Sequence, residues 1–193
     1  MPDFLLCLLF GIALGTLSKY LDTIPDDGSW GAIFLNHLGD LFTRLGIWVL
    51  IATIIAAYSR TLIRAAINTF LFFIGMLVSY YVYSAYLFGF FPTSYFIFWG
   101  GIALLSPLLA MIVWLAKNKE NLAYFLPALP MGLLFSLSSG IGLFYMDIIY
   151  LDEFIMYLVL CAIFYKNPKQ LSFIVIFSIV VSVIYSYITP FYF

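Results

Sequence analysis

Four stretches of the chain, residues 65–90, 94–116, 122–146 and 170–190, each run for 20 or more residues with almost no charge. A helix needs about 20 residues to cross the ~30 Å hydrocarbon core of a bilayer. These stretches are too long and too continuous for the alternating strands of about ten residues that build a membrane barrel. They specify helices in a membrane. Three further apolar segments, 4–20, 45–59 and 150–165, lie between polar breaks. The expectation is therefore an all-α, polytopic transmembrane helix bundle of seven spans, at about 4–20, 45–59, 65–90, 94–116, 122–146, 150–165 and 170–190. Residues 1–193 are read as a single integral membrane domain. Six spans follow instead if segment two or six does not fully cross.

Composition points the same way. Hydrophobic residues make up 65% of the chain and charged residues 9%, where a soluble domain carries about 25% charged residues. So few charges cannot cover a water-exposed surface. With a net charge of −1 the chain has nothing with which to grip phosphate, which excludes nucleic acid as a partner. Its first partner is the lipid bilayer. Cys7 and Cys161 form no CxxC motif or metal-ligand spacing and read as small apolar residues. Met1-Pro2-Asp3 lacks the basic start of a cleaved signal peptide, so the first segment is expected to stay as a span.

Orientation follows from Lys and Arg, which concentrate in cytoplasmic loops. Arg60 and Arg64 flank the break between spans two and three, Lys117 and Lys119 that between four and five, and Lys166 and Lys169 that between six and seven. These alternate loops hold six of the eight cations and belong on one side. The opposite loops hold Asp22, Asp26, Asp27, Asp40, Asp147, Asp152 and Glu153, seven of the nine acids. The N-terminus is then cytoplasmic and the C-terminus outside, in a cell membrane of the bacterial plasma-membrane kind.

Several charges stand too close together to bracket a full span. Arg44 and Arg60 are 16 residues apart, about 24 Å of helix, short of the ~30 Å core. Asp3 and Lys19 are also 16 apart, and Glu153 and Lys166 only 13. Each deficit falls on the outer side. Lys19, Asp40, Arg44, Asp152 and Glu153 are thus inset into the membrane, with His37 one helical turn before Asp40. An ionised group at a helix centre costs about 2.5–3.5 kcal/mol on insertion scales, and such groups face the bundle interior, paired or hydrated. Two arrangements fit. The charges tie spans one, two and six together as ion pairs, or they line an outward-facing pocket for a small polar or zwitterionic solute.

Small residues recur every four positions, at Cys7, Gly11 and Gly15 on span one and at Gly132, Ser136 and Gly140 on span five. Such stripes let membrane helices approach closely. Pro107 in span four and Pro127 and Pro130 in span five are expected to kink or loosen their helices. Tyr80, Tyr81, Tyr83, Tyr86, Tyr95, Trp99 and Tyr192 gather near outer helix ends as interfacial anchors.

The sequence carries no recognisable catalytic or cofactor motif. There is no HExxH, G-x-S-x-G, P-loop or dinucleotide fingerprint, and the acidic pair Asp26-Asp27 is not followed by a third acid at metal-binding spacing. No catalytic residue, cofactor or metal is expected, and the chain is not read as an enzyme. The leading expectation is small polar solute transport, or solute capture from the outer side, as a subunit of a larger transporter because the chain has no motor of its own. Its ligand-binding candidates are Lys19, His37, Asp40, Arg44, Asp152 and Glu153. The alternative is a non-transport accessory protein for assembly, immunity or sensing that packs against another membrane protein subunit, and an intramembrane enzyme ranks third.

Overall fold

The structure is a computed structural model that describes residues 2–89, 93–141 and 146–188. Among the described residues the chain forms eight helices and one short hairpin. The helices are α1 (Pro2–Leu21), α2 (Trp30–Thr43), α3 (Leu45–Ala57), α4 (Leu62–Phe88), α5 (Thr93–Asn118), α6 (Ala128–Ser138), α7 (Leu151–Phe164) and α8 (Pro168–Ile188). Strands β1 (Ser139–Ile141) and β2 (Met146–Ile148) pair antiparallel, with Gly140 opposite Asp147. Helices α1, α4, α5 and α8 are long and apolar enough to cross a membrane, and α2 with α3 makes a fifth candidate if the two form one broken span.

Three sequence expectations, all in segment 122–146, need correction. Segment 122–146 is not one helix, because α6 covers only Ala128–Ser138 and the hairpin follows. Pro127 occupies the N-cap and Pro130 the first turn of α6, where missing amide donors have no intrahelical partner to lose. The prolines start the helix rather than kink it. At its other end the hydroxyls of Ser138 and Ser139 donate back to the Phe135 carbonyl, and the Ser138 carbonyl accepts from the amides of Ile149 and Tyr150. These bonds draw the chain out of the helix. Gly140 accordingly belongs to β1 and not to a helix stripe. Segment 45–59 holds α3, which begins at Leu45 and ends at Ala57, and Arg44 alone separates it from α2 at a bend.

The chain divides into two compact units. One gathers α1, α2, α4 and α5 as far as Met111; the other gathers α3, the end of α5 from Ile112, α6, the hairpin, α7 and α8.

In the first unit α1 and α4 run parallel. Asp3 pairs with Arg64 (3.4 Å), Gly11 lies on Phe72, Gly15 on Met76, and Tyr80 donates to Asp22 (2.6 Å). A Cβ on Gly11 would overlap the Phe72 carbonyl oxygen, and one on Gly15 the Met76 carbonyl oxygen. Glycine is what lets the two backbones touch. Helix α4 is capped at both ends. The Thr61 hydroxyl accepts from the Arg64 amide (3.2 Å), and Gly89, at φ 67°, closes the far end by donating to the Ala85 carbonyl.

In the second unit α6 and α8 also run parallel. Gln170 bonds Ala123, Phe125 packs on Phe177, Gly132 lies on Ser178 and Val181, and Ser136 meets Ser186 (3.2 Å). Helix α7 returns between their ends. Its start is bonded to Ser138 at the end of α6, and its last carbonyl, of Phe164, accepts from Gln170 at the start of α8. Gln170 is fully buried. Its amide donates to the Ala123 and Phe164 carbonyls (2.8 and 3.1 Å), and its carbonyl accepts from the Lys166 amide (3.2 Å). One side chain thus joins the approaches to α6, α7 and α8. Gln170→Leu, close in size but without these bonds, is expected to destabilise by about 1–3 kcal/mol through unsatisfied buried groups. Reversible unfolding in detergent measures the loss, and an unchanged midpoint would remove Gln170 from this role.

A candidate ion-pair site at the start of α3 and α7

Arg44 stands immediately before α3, and Asp152 and Glu153 lie in the first turn of α7. The guanidinium reaches both acids: Nη2 to Asp152 Oδ2 at 2.8 Å and Nη1 to Glu153 Oε2 at 3.1 Å. The Tyr150 ring, just ahead of α7, supports it at 4.6 Å as a cation–π contact. Acids in a first turn are favoured by the positive end of the helix dipole, and here they also face a guanidinium. The environment is dry. The Glu153 side chain keeps 2% of its surface exposed and Arg44 16%, against 29% for Asp152. Asp152 is therefore the open edge of the cluster.

Gly46 sets the distance between the two helices. A Cβ there would fall 2.7 Å from Glu153 Cγ, so any larger residue would press Glu153 away from Arg44. One polar atom of the cluster is left over: Arg44 Nε is buried and has no hydrogen-bond partner among the described residues. The three charges sum to −1, so the cluster is held together but not neutral.

Lys19 belongs to a different cluster, within the first unit. It is 8% exposed, pairs with Asp22 at 3.3 Å, and lies over the rings of Tyr80 (5.0 Å) and Phe88 (4.9 Å). Tyr80 donates to the same Asp22 oxygen. These contacts latch the end of α1 to the end of α4. His37 and Asp40 both lie on α2 with exposed side chains, and the Asp40 carbonyl accepts from the Thr43 hydroxyl (2.8 Å). Of the six residues singled out from sequence, the structure thus joins Arg44, Asp152 and Glu153. Lys19, on span one, pairs with Asp22.

Sequence spacing missed Tyr150, Asp22, Tyr80 and Phe88 as partners. Tyr80 reads as an interfacial anchor, Tyr150 and Phe88 carry no distinguishing pattern, and no periodicity marks which ring sits beneath a cation. The acidic pair Asp26-Asp27 has a local task. Asp26 Oδ1 accepts from the Gly28 amide (3.2 Å) and Asp27 Oδ1 from the Ser29 amide (2.9 Å), while the Ser29 hydroxyl accepts from Ala32 in the first turn of α2. The Ser29 hydroxyl and amide together hold the Asp27 carboxyl below the ordinary aspartate range. Among the described residues no three His, Cys, Asp or Glu side chains come together in a way that would hold a metal ion.

No family model, curated protein or solved structure matches the chain.

Proposed function

We propose that the chain is a seven-pass membrane protein, with its N-terminus in the cytoplasm and its C-terminus outside, that captures or transports a small polar or zwitterionic solute from the outer side. The topology is supported by the two parallel pairs. Because α1 and α4 point the same way, the chain leaving α1 at Leu21 must travel back before entering α4 at Leu62, and α3 makes that crossing, entered at Arg44. The same reasoning makes α7 the return between α6 and α8. The cations then fall together: Arg60 and Arg64 around the start of α4, Lys117 and Lys119 between α5 and α6, and Lys166 and Lys169 around the start of α8, as cytoplasmic loops require.

In this orientation the Arg44 cluster faces the outer side. Helix α7 has 14 residues, about 21 Å of rise against a core of ~30 Å. Its first turn is therefore inset, or the bilayer thins around it. The observation that carries the functional reading is Arg44 itself, a guanidinium between two carboxylates in an otherwise apolar environment, with Nε unused and Asp152 partly open. A zwitterion offers the matching chemistry. Its carboxylate would take the guanidinium fork, and its ammonium group would take Asp152 and Glu153.

A second reading, the accessory protein, draws support from a different observation: Arg44 already satisfies both acids, as a purely structural network would. Native mass spectrometry of the purified protein, followed by thermal-shift measurements with a panel of amino acids and betaines, separates the two. Capture predicts a co-purified small molecule or a stabilising zwitterion, with the shift lost in Arg44→Lys, which keeps the charge but not the fork. A ligand-free protein that no zwitterion stabilises, recovered in a stable complex with another membrane protein, would favour the accessory reading.

A further inference from the structure

Within the second unit a basic edge borders an aromatic surface. Lys166 lies between α7 and α8, and Lys169 in the first turn of α8. Both side chains are exposed, and neither makes an ion pair among the described residues. Lys117, near the end of α5, reaches α7, where its ammonium donates to the Ile163 carbonyl. Lys166 stands close enough to Lys117 for their charges to repel. Like charges gathered in this way are unfavourable until an anion joins them, and Glu120 is the only acid in the loops on either side of α6 and α7 that carry these lysines. One and two turns into α8 from Lys169, Phe173 and Phe177 follow on the same face. Two rings from the approach to α6 meet them edge to face, Tyr124 on Phe173 with centroids 6.3 Å apart and Phe125 on Phe177 at 5.1 Å. All four rings remain between 37% and 56% exposed. An exposed apolar patch with a polar rim marks a contact surface. This one runs for about 12 Å along α8 from Lys169 to Phe177.

We propose that this edge is a binding site for an anionic phospholipid, with Lys166 and Lys169 holding the headgroup phosphate and the acyl chains lying along Tyr124, Phe125, Phe173 and Phe177. The two halves of the surface select the occupant together. A soluble phosphate ester would use the lysines and leave the rings uncovered. A phosphatidylcholine would cover the rings, but the cation of its own headgroup offsets the phosphate. A lipid of net negative charge satisfies both. Basic pockets beside transmembrane helices on the cytoplasmic side bind such headgroups, and that is the side which the orientation proposed above gives to this end of the unit. The site does not depend on whether the chain handles a solute.

The test titrates the full chain, purified in a non-ionic detergent, with dioleoylphosphatidylglycerol, with dioleoylphosphatidylcholine, or with glycerophosphoglycerol, the anionic headgroup without its chains. Native mass spectrometry counts the bound species. Phosphatidylglycerol is expected to bind at least tenfold tighter than either of the others. Lys166→Gln and Lys169→Gln are each expected to weaken it about fivefold, the worth of one lysine near an anionic surface, while the affinity for phosphatidylcholine stays within about twofold. Lys169→Arg, which keeps the charge, is expected to keep the affinity. Both side chains are exposed, and thermal transitions matching the unaltered protein verify that the variants are folded. Equal binding of the two lipids, or glutamine variants that bind phosphatidylglycerol as the unaltered protein does, would overturn the site. Glycerophosphoglycerol binding as tightly as the intact lipid would overturn it as well, because the occupant would then be a soluble phosphate ester.

Discussion

Arg44→Met is expected to destabilise the protein by about 3–5 kcal/mol, and adding Glu153→Met is expected to recover most of that loss. The asymmetry comes from burial. Removing one partner of a buried ion pair leaves the other charge uncompensated, at a cost of that size, whereas replacing both by apolar groups of similar volume is often neutral. Glu153, at 2% side-chain exposure, cannot turn to water when the guanidinium goes. Asp152, at 29%, can recover hydration, so Asp152→Asn alone is expected to cost less than Arg44→Met. Unfolding midpoints of the two single variants and the double variant close a thermodynamic cycle. A double variant as unstable as the sum of its parts would mean that the pair is not coupled.

The second large effect is expected where two backbones touch. Gly11→Val should destabilise at the upper end of the about 1–3 kcal/mol typical of overpacking, and Gly11→Ala by less. The obstacle is the Phe72 carbonyl, with the Met76 amide nitrogen beside it, and backbone cannot swing aside as a side chain can. Gly101, inside α5, is the internal control. A Cβ there meets nothing within 4 Å, so Gly101→Ala should be neutral or stabilising by up to about 1 kcal/mol, the helix-propensity gain. Equal effects at Gly11 and Gly101 would contradict the parallel packing of α1 on α4. They would also remove the argument that α3 carries the chain back.

Much of this was legible in the sequence because charge is so scarce. With 17 charged residues in 193, the uncharged runs that became α4, α5 and α8 stand out without any periodicity. The glycine stripe at Gly11 and Gly15 marks a close helix contact for the same reason that it does in any membrane bundle. Arg44, Asp152 and Glu153 were legible together because their spacing from neighbouring charges was too short for a full crossing. The end of α6 and the hairpin at Ser139–Ile148 were not legible. Apolar runs look alike whether helix or strand, and what ends α6 is a set of hydroxyl and carbonyl bonds made by Ser138 and Ser139, which no hydropathy pattern records. The break at Arg44 falls where the apolar segment 45–59 begins, with the poor helix formers Thr43 and Gly46 close by. The contacts of Lys19 were not legible either: two rings and an aspartate three residues on carry no spacing that marks them as its partners.

The central claim is an orientation: the Arg44 cluster and the loops carrying Asp27 and Asp147 face outward, while the lysine-bearing loops face the cytoplasm. Single cysteines at Asp27, Asp147, Lys119 and Asn167, in a background free of Cys7 and Cys161, test it most directly by reaction with an impermeant thiol reagent before and after permeabilisation. The account predicts that the cysteines at Asp27 and Asp147 react in intact cells and that those at Lys119 and Asn167 react only once the membrane is opened. Reaction of Asp27→Cys and Asp147→Cys on opposite sides would contradict it, because the segments leading to α3 and α7 would then lie in different compartments.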